Sequence, residues 1–154
     1  MEYLTFKNYY PMIDYSMSGE AFRDLCAAHG IGVTHQRQVI WETLRTLDGH
    51  PNPEEVYDHV RKLIPSISLA TIYKNVRTFI EHGLISEVSL HHGSARLETN
   101  MDPHHHMVCT VCRAIVDLDE TELEPIRLKK GAPEGFRIHR YSVEVHGLCS
   151  KCAR

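Results

Sequence analysis

The chain has 154 residues, 42% of them hydrophobic and 24% charged, which is ordinary for a folded soluble protein of one domain or two small ones. A net charge of -3 and a sequence pI near 6.4 argue against a non-specific nucleic-acid coat, while leaving room for a reader with a few basic groups on one face. No apolar run approaches the ~20 residues that span a bilayer, so no membrane partner is expected.

The first 17 residues carry Tyr3, Phe6, Tyr9, Tyr10 and Tyr15 with no period, and read as an arm that is ordered only where it docks. The stretch Met1 to Lys7 lacks the charged-then-apolar order of a signal peptide, so the cytoplasm is the expected compartment. Ser18 is a plausible N-cap for a helix over 19–29, with Phe22, Leu25 and Cys26 on one face and Gly30 as its stop. Thr34 caps a second helix over roughly 35–47, whose stripe is Val39, Ile40, Leu44 and Leu47 with Trp41 beside it. Asn52-Pro53 starts a third helix to about Leu63, with Val56, Val60 and Leu63 inward.

Ser68 caps a fourth helix over 69–82, closed by Gly83. Its apolar face is Leu69, Ile72, Val76, Phe79 and Ile80. Its opposite face carries Ala70, Thr71, Tyr73, Lys74, Arg77 and Thr78. Two short strands follow, Leu84–Leu90 and Ala95–Thr99, around a His91–Ser94 turn. Three helices, a helix with a hydrogen-bonding outer face and then a hairpin form the order of a winged helix-turn-helix. The outer face suits a major groove, because Arg and Lys reach guanine edges or phosphate, and Tyr and Thr reach phosphate or a thymine methyl. Double-stranded DNA is therefore the expected partner. An ordinary solvated helix face is the alternative, and the hairpin directly after it weighs against that.

Asn100–Pro103 reads as a linker, after which the pattern turns to strands. His106–Thr110 and Ala114–Leu118 predict a hairpin, Glu120–Lys130 a helix, and Phe136–His146 a long strand. Cys109-Thr-Val-Cys112 and Cys149-Ser-Lys-Cys152 read as one tetrahedral zinc site, since each two-residue spacer lets both thiolates face one ion. Two disulfides are the other possibility, but nothing in the chain points to an oxidising compartment. A four-sulfur zinc is closed and structural, a clamp on the C-terminal half. About 50 residues is small for a core of its own, so zinc and dimerisation are both expected to support it. Cys26, the odd cysteine among Leu25, Ala27 and Ala28, packs. Twelve histidines are the compositional anomaly, and His104-His105-His106 stands just before Cys109 as a second cluster of possible ligands.

Thr34-His-Gln-Arg37, His50-Pro51, Ser68-Leu-Ala-Thr-Ile-Tyr-Lys-Asn-Val76, Arg96-Leu-Glu98, Pro103-His-His-His106 and the two Cys pairs together resemble the ferric uptake regulator (Fur) family of bacterial metal-dependent repressors. The match covers roughly residues 18–152. It implies an α+β chain: the 1–17 arm, a winged-helix DNA-binding domain over 18–99, a hinge at 100–103, and an α/β dimerisation and metal-binding domain over 104–154. It implies a homodimer on a DNA operator. It also implies a regulatory metal at the hinge, Fe(II) or Mn(II), on His50, Glu98, His104, His106 and Asp117. Three imidazoles and two carboxylates suit such ions and differ from the soft thiolate set next door. An ion held by His50 and by His104, His106 and Asp117 at once must fix the angle between the two halves, hence the spacing of two reading helices on two half-sites. Arg37 is expected among the DNA contacts with Ala70, Thr71, Tyr73, Lys74 and Arg77, and His35 and Gln36 are expected near phosphate rather than metal. His105 points away from its neighbours in a strand and is left out.

Within the family, Asp117 resembles the peroxide-sensing branch, where iron sensors more often carry Glu. Glu98 departs the other way, and Lys74, at a position that helps select operators, matches neither branch. A third metal site of some iron sensors would fall on Pro103, His105, Glu124 and Tyr141, two of which serve poorly. The expected stimulus is peroxide, through oxidation of His50 or His104 beside bound Fe(II). The alternatives are iron sensing, by loss of Fe(II), and zinc sensing. No enzyme is expected: no Glu follows at His-x-Glu spacing as in zinc deaminases, and Gly-x-Ser-x-Gly is absent.

Overall fold

The computed structural model describes residues 19–88 and 95–154. The 1–17 arm, the Ser18 cap and the turn expected at 91–94 lie outside them. Four helices come first: α1 Gly19–Ala28, α2 His35–Thr46, α3 Pro53–Leu63 and α4 Leu69–Glu81. Each of the last three starts on the side chain that the sequence offers. Thr34 accepts from the Arg37 N–H, Ser68 from the Thr71 N–H, and Asn52 forms a reciprocal capping box with Glu55. Gly30 and Gly83 end α1 and α4 at φ +66° and +71°, a region that residues with a Cβ rarely adopt.

The helices bury one core: Phe22, Cys26, Ile40, Leu44, Val56, Val60, Ile72, Phe79, Ile85 and Leu97 are its fully enclosed members. Trp41 meets Phe79 edge-on at 5.9 Å between ring centroids. Leu63, expected inward, is instead exposed, because the chain leaves the helix at Ile64 and that side chain packs on the core in its place. β1 Ser86–Val88 and β2 Arg96–Glu98 pair antiparallel, with Glu87 opposite Leu97. β1 begins two residues later than expected because Leu84 and Ile85 drop into the core and the Leu84 N–H bonds back to the Phe79 carbonyl, and residues 89–90 of the expected strand lie outside the described residues.

The second sheet has the order β4-β3-β5, with β3 His104–Cys109, β4 Ile115–Asp119 and β5 Glu144–Gly147. β3 begins two residues earlier than expected. β3 and β4 are antiparallel with His106 opposite Asp117, and β3 and β5 are parallel with His106 opposite Glu144. The expected helix over 120–130 is not formed. A capping box on Asp119 closes one 3-10 turn, Glu120–Glu122, and Leu123 is already extended. Pro125 gives the reason: it lacks the N–H that a helix needs there, and it disfavours helical backbone at Glu124. The expected strand over 136–146 shrinks to β5, since the free edge of β3 offers partners only alongside Glu144–Gly147. The fold is thus α+β, with a helical, winged first part and a sheet-bearing second part.

Candidate metal centres

The first centre is assembled from three separate segments. His50 sits in the loop between α2 and α3. The Leu97 N–H donates to the Pro51 carbonyl at 2.9 Å, and an Arg96 guanidinium N–H reaches the His50 carbonyl at 3.3 Å, so β2 is tied to that loop. This tie brings Glu98 to His50: Glu98 Oε2 and His50 Nε2 are 2.5 Å apart. The register of β3 on β4 then adds His104, His106 and Asp117 on one face. His50 Nε2 lies 3.2 Å from Asp117 Oδ1, His104 Nε2 3.2 Å from Glu98 Oε2, and His104 Nε2 3.0 Å from His106 Nε2. His106 Nε2 stands 3.7 Å from Glu98 and 3.9 Å from Asp117. One donor atom from each of the five falls within 4.8 Å of all the others. Two nitrogens each ~2.1 Å from one ion and at right angles are ~3.0 Å apart, so these separations are those of donors around a single divalent cation. The donor set fits such an ion.

The protonation pattern agrees with that fit. Burial opposes a charged His50, but hydrogen bonds to Asp117 and Glu98 and their charges outweigh it and push the imidazole up to about 9. Burial likewise opposes ionised Glu98, yet the bonds from His50 and the Asn100 N–H hold its carboxyl below the usual range. The His50 bond holds Asp117 low as well. Burial, then the neighbouring His104 and His50, lower His106. Without a cation, a protonated His50 offsets one of the two carboxylate charges. His104 is oriented for ligation: its Nδ1–H donates to the Asp102 carbonyl at 2.7 Å, which leaves Nε2 with its lone pair facing the cluster. His50 Nδ1 is buried without a partner among the described residues.

His105, on the other face of β3, is buried and its Nδ1 accepts the Val143 N–H at 3.3 Å. It takes no part in the cluster, as expected from strand alternation.

The second centre joins the turn after β3 to the turn after β5. The sulfurs of Cys109, Cys112, Cys149 and Cys152 lie within 4.8 Å of one another. Cys112 and Cys149 stand 3.6 Å apart, far beyond the ~2.05 Å of a disulfide and near the ~3.8 Å edge of a tetrahedron with ~2.3 Å bonds. The Cys149, Cys112 and Val111 N–H groups point at the Cys109 sulfur and lower it to about 6. Cys152 keeps its proton, pushed up to about 12 first by its bonds to Cys149 and Cys112. A cation bound to all four sulfurs would displace that proton, and a zinc ion fits the four-sulfur set.

The residues expected at DNA are divided. Ala70, Tyr73, Lys74 and Arg77 are exposed along α4, while Thr71 is half-buried with its hydroxyl 2.9 Å from that of Ser68. The Tyr73 hydroxyl donates to Glu54 at 2.5 Å and Arg77 Nε to Glu81 at 2.8 Å. Arg37 stands on α2, next to this helix. It bridges α2 to α4 through Asn75, a buried polar residue that the helical pattern passed over. The signal was there: Asn75 follows Ile72 by three positions, inside the apolar stripe.

Three comparisons bear on this geometry. A profile of the family described as "Ferric uptake regulator family" matches residues 28–146. A peroxide-responsive repressor of Staphylococcus epidermidis is 32% identical over 123 residues, covering 80% of this chain and 82% of its own length. Among solved structures, a Campylobacter jejuni peroxide stress regulator is similar at TM-score 0.62 and 30% identity, over 86% of this chain and 97% of its own. A zinc-bound manganese uptake regulator is similar at TM-score 0.66 and 27% identity, over 82% and 97%.

Proposed function

Since the chain belongs to the ferric uptake regulator family, we propose that it is a metal-dependent, DNA-binding transcriptional repressor that responds to peroxide. The observation that carries the proposal is the five-donor cluster. His50 and Glu98 come from the helical, winged part, and His104, His106 and Asp117 from the sheet-bearing part. A cation on all five ties the two parts in one arrangement, and a regulator needs that coupling between a small stimulus and the placement of its reading helix.

Cys109, Cys112, Cys149 and Cys152 would hold a structural zinc. His50, Glu98, His104, His106 and Asp117 would hold Fe(II) or Mn(II), and bound Fe(II) would supply the one-electron chemistry that activates hydrogen peroxide beside the imidazoles. The chain's part is to present His50 or His104 to that oxidant. In net terms an imidazole carbon exchanges hydrogen for hydroxyl, with one peroxide oxygen retained and one leaving as water. An oxidised imidazole is a poorer donor, so the two parts lose their tie and DNA is released. Arg37, Ala70, Thr71, Tyr73, Lys74 and Arg77 form the DNA-facing set, read by two copies on two half-sites.

Dimerisation through residues 104–154 is supported by composition. Met107, Val116 and Val145 form one exposed apolar row across the sheet, and Phe136, Ile138, Tyr141 and Leu148 of the same part of the chain are exposed as well. A single copy leaves this surface in water. No helix among the described residues is long and apolar enough to cross a membrane. The cytoplasm, where operators are, is the compartment this function requires. Resemblance to named repressors argues for regulation and against an enzyme.

The experiment compares Fe(II)- and Mn(II)-loaded protein, prepared without oxygen, on duplexes selected by the protein itself. Sub-stoichiometric hydrogen peroxide is expected to release DNA from the iron form only and to add one oxygen atom to the peptide of His50 or His104. If both forms hold DNA until a chelator removes the metal, the stimulus is the metal itself and the iron-sensing alternative holds.

A further inference from the structure

Asn75 lies on the core side of α4, 7% exposed, between Ile72 and Val76. A hydrocarbon would pack there, and a buried amide persists only where both of its ends are bonded. Its Nδ2 donates to the Thr71 carbonyl at 2.8 Å, one turn back. That fixes which end faces outward: Oδ1, which accepts from Arg37 Nε at 3.1 Å. A flipped amide would set donor against donor. Arg37 Nη1 donates in turn to the Gly32 carbonyl at 2.5 Å. Arg37 is therefore clamped on two sides, from the loop before α2 and from α4. Of the five N–H groups of a guanidinium, two are so engaged and three remain without a partner among the described residues, both of those on Nη2 among them.

We propose that Asn75 is a positioning residue for DNA binding: it holds the Arg37 guanidinium in one orientation, so that its remaining N–H groups are set in advance to grip an operator phosphate. The proposal rests on reading Arg37 as a DNA contact. A long side chain held before binding loses less freedom when it binds, which is the gain over an unclamped arginine. The clamp also couples α2 to the reading helix, so phosphate contact and base contact share one frame.

The test uses full-length, Mn(II)-loaded protein on a duplex selected by the wild type from a random-sequence pool. Arg37→Ala is expected to weaken binding and to lower the slope of log affinity against log salt by ~1.8, the loss of one phosphate contact in each of the two copies. Asn75→Leu is expected to weaken binding roughly fivefold when Arg37 is present and to change nothing on the Arg37→Ala background, as for two residues acting as one unit. Asn75→Thr gives a second variant should leucine disturb α4, and an unchanged Mn(II) affinity checks that each variant keeps its fold. If Asn75→Leu costs the same on both backgrounds, or nothing on either, Asn75 is only a packing residue and the proposal is wrong while Arg37 remains a contact. An unchanged salt slope in Arg37→Ala removes Arg37 from the interface and the proposal with it. Failure of the wild type to select any duplex removes the repressor reading as well.

Discussion

His50 Nε2 and Glu98 Oε2 stand 2.5 Å apart although 48 positions separate the two residues in the chain. Their meeting is built from backbone outward: the Leu97 N–H on the Pro51 carbonyl brings strand to loop, and the side chains follow. The pair is the half of the candidate regulatory centre that exists before residues 104–154 are added, and it has a proton to give up when a cation arrives.

Asp117 is the half-exposed member of the five, with its side chain 45% accessible, and the most easily replaced without disturbing the core. Asp117→Ala is expected to weaken Mn(II) binding by more than the ~10–100-fold that loss of an outer-shell partner costs, with the melting temperature of the metal-free protein little changed. Titration calorimetry on zinc-replete protein measures it. An affinity equal to wild type would remove Asp117 from the donor set.

The metal-free protein should have a stability profile set by this cluster. His50 is raised from 6.5 to about 9 in the folded chain, so its contribution is complete below about pH 6.5 and is lost as pH rises through about 9. Glu98 and Asp117 are lowered, so their contributions are present above their ordinary values near 4.5 and 3.8 and are lost on acidification. His106 is lowered, so its contribution is present above about pH 6.5 and lost below it. Urea unfolding in the presence of chelator is therefore expected to show greatest stability near pH 6.5, and His50→Gln is expected to flatten the alkaline side. Mn(II) binding at pH 7 should release protons, seen as a dependence of the binding heat on the buffer used.

Cys149→Ser removes one sulfur and breaks the link between the turns after β3 and β5. Structural zinc in small modules contributes on the order of 10 kcal/mol, far more than this thin sheet can supply otherwise. The variant is expected to lose zinc and to be cut by protease within 104–154, while the helical part, whose core ends at Leu97, resists. Gel filtration should show loss of the dimer at the same time. Intact dimer without zinc would mean that the apolar row alone holds the copies together.

Glu81 holds the Arg77 guanidinium at 2.8 Å on a fully solvated part of α4. Glu81→Gln should leave the melting temperature unchanged, because exposed pairs of this kind add little. Duplex binding should tighten about threefold, since a charge that competes with phosphate is gone. Weaker binding would show that Glu81 orients Arg77 for DNA rather than restraining it.

Much of this was legible in the residues. Thr34, Asn52 and Ser68 mark three helix starts, and all three cap as their side chains suggest. The Cys-x-x-Cys pairs announce one four-sulfur centre, because the spacing is itself the geometry. The helix expected over 120–130 fails on Pro125, a local signal present in the chain itself. The long strand failed for a different reason: residues 136–143 alternate like a strand, but a strand needs a partner edge, and β3 offers only the stretch opposite Glu144–Gly147. Asn75 was passed over because a helical stripe is counted by its apolar members, and the bond that explains it reaches Arg37, 38 positions away.

The sequence by itself determined the capped helices, the buried stripes, the thiolate centre and the kinds of donor available to a second ion, since each depends on neighbours within a few positions or on chemistry alone. Only the tertiary structure decided that His50, Glu98, His104, His106 and Asp117 share one point in space and that Arg37 is held by Asn75. Those facts rest on a backbone bond between Leu97 and Pro51, on the register of β3 against β4, and on the packing of α2 against α4. Each is fixed by how distant segments bury and pair together, which no local pattern encodes.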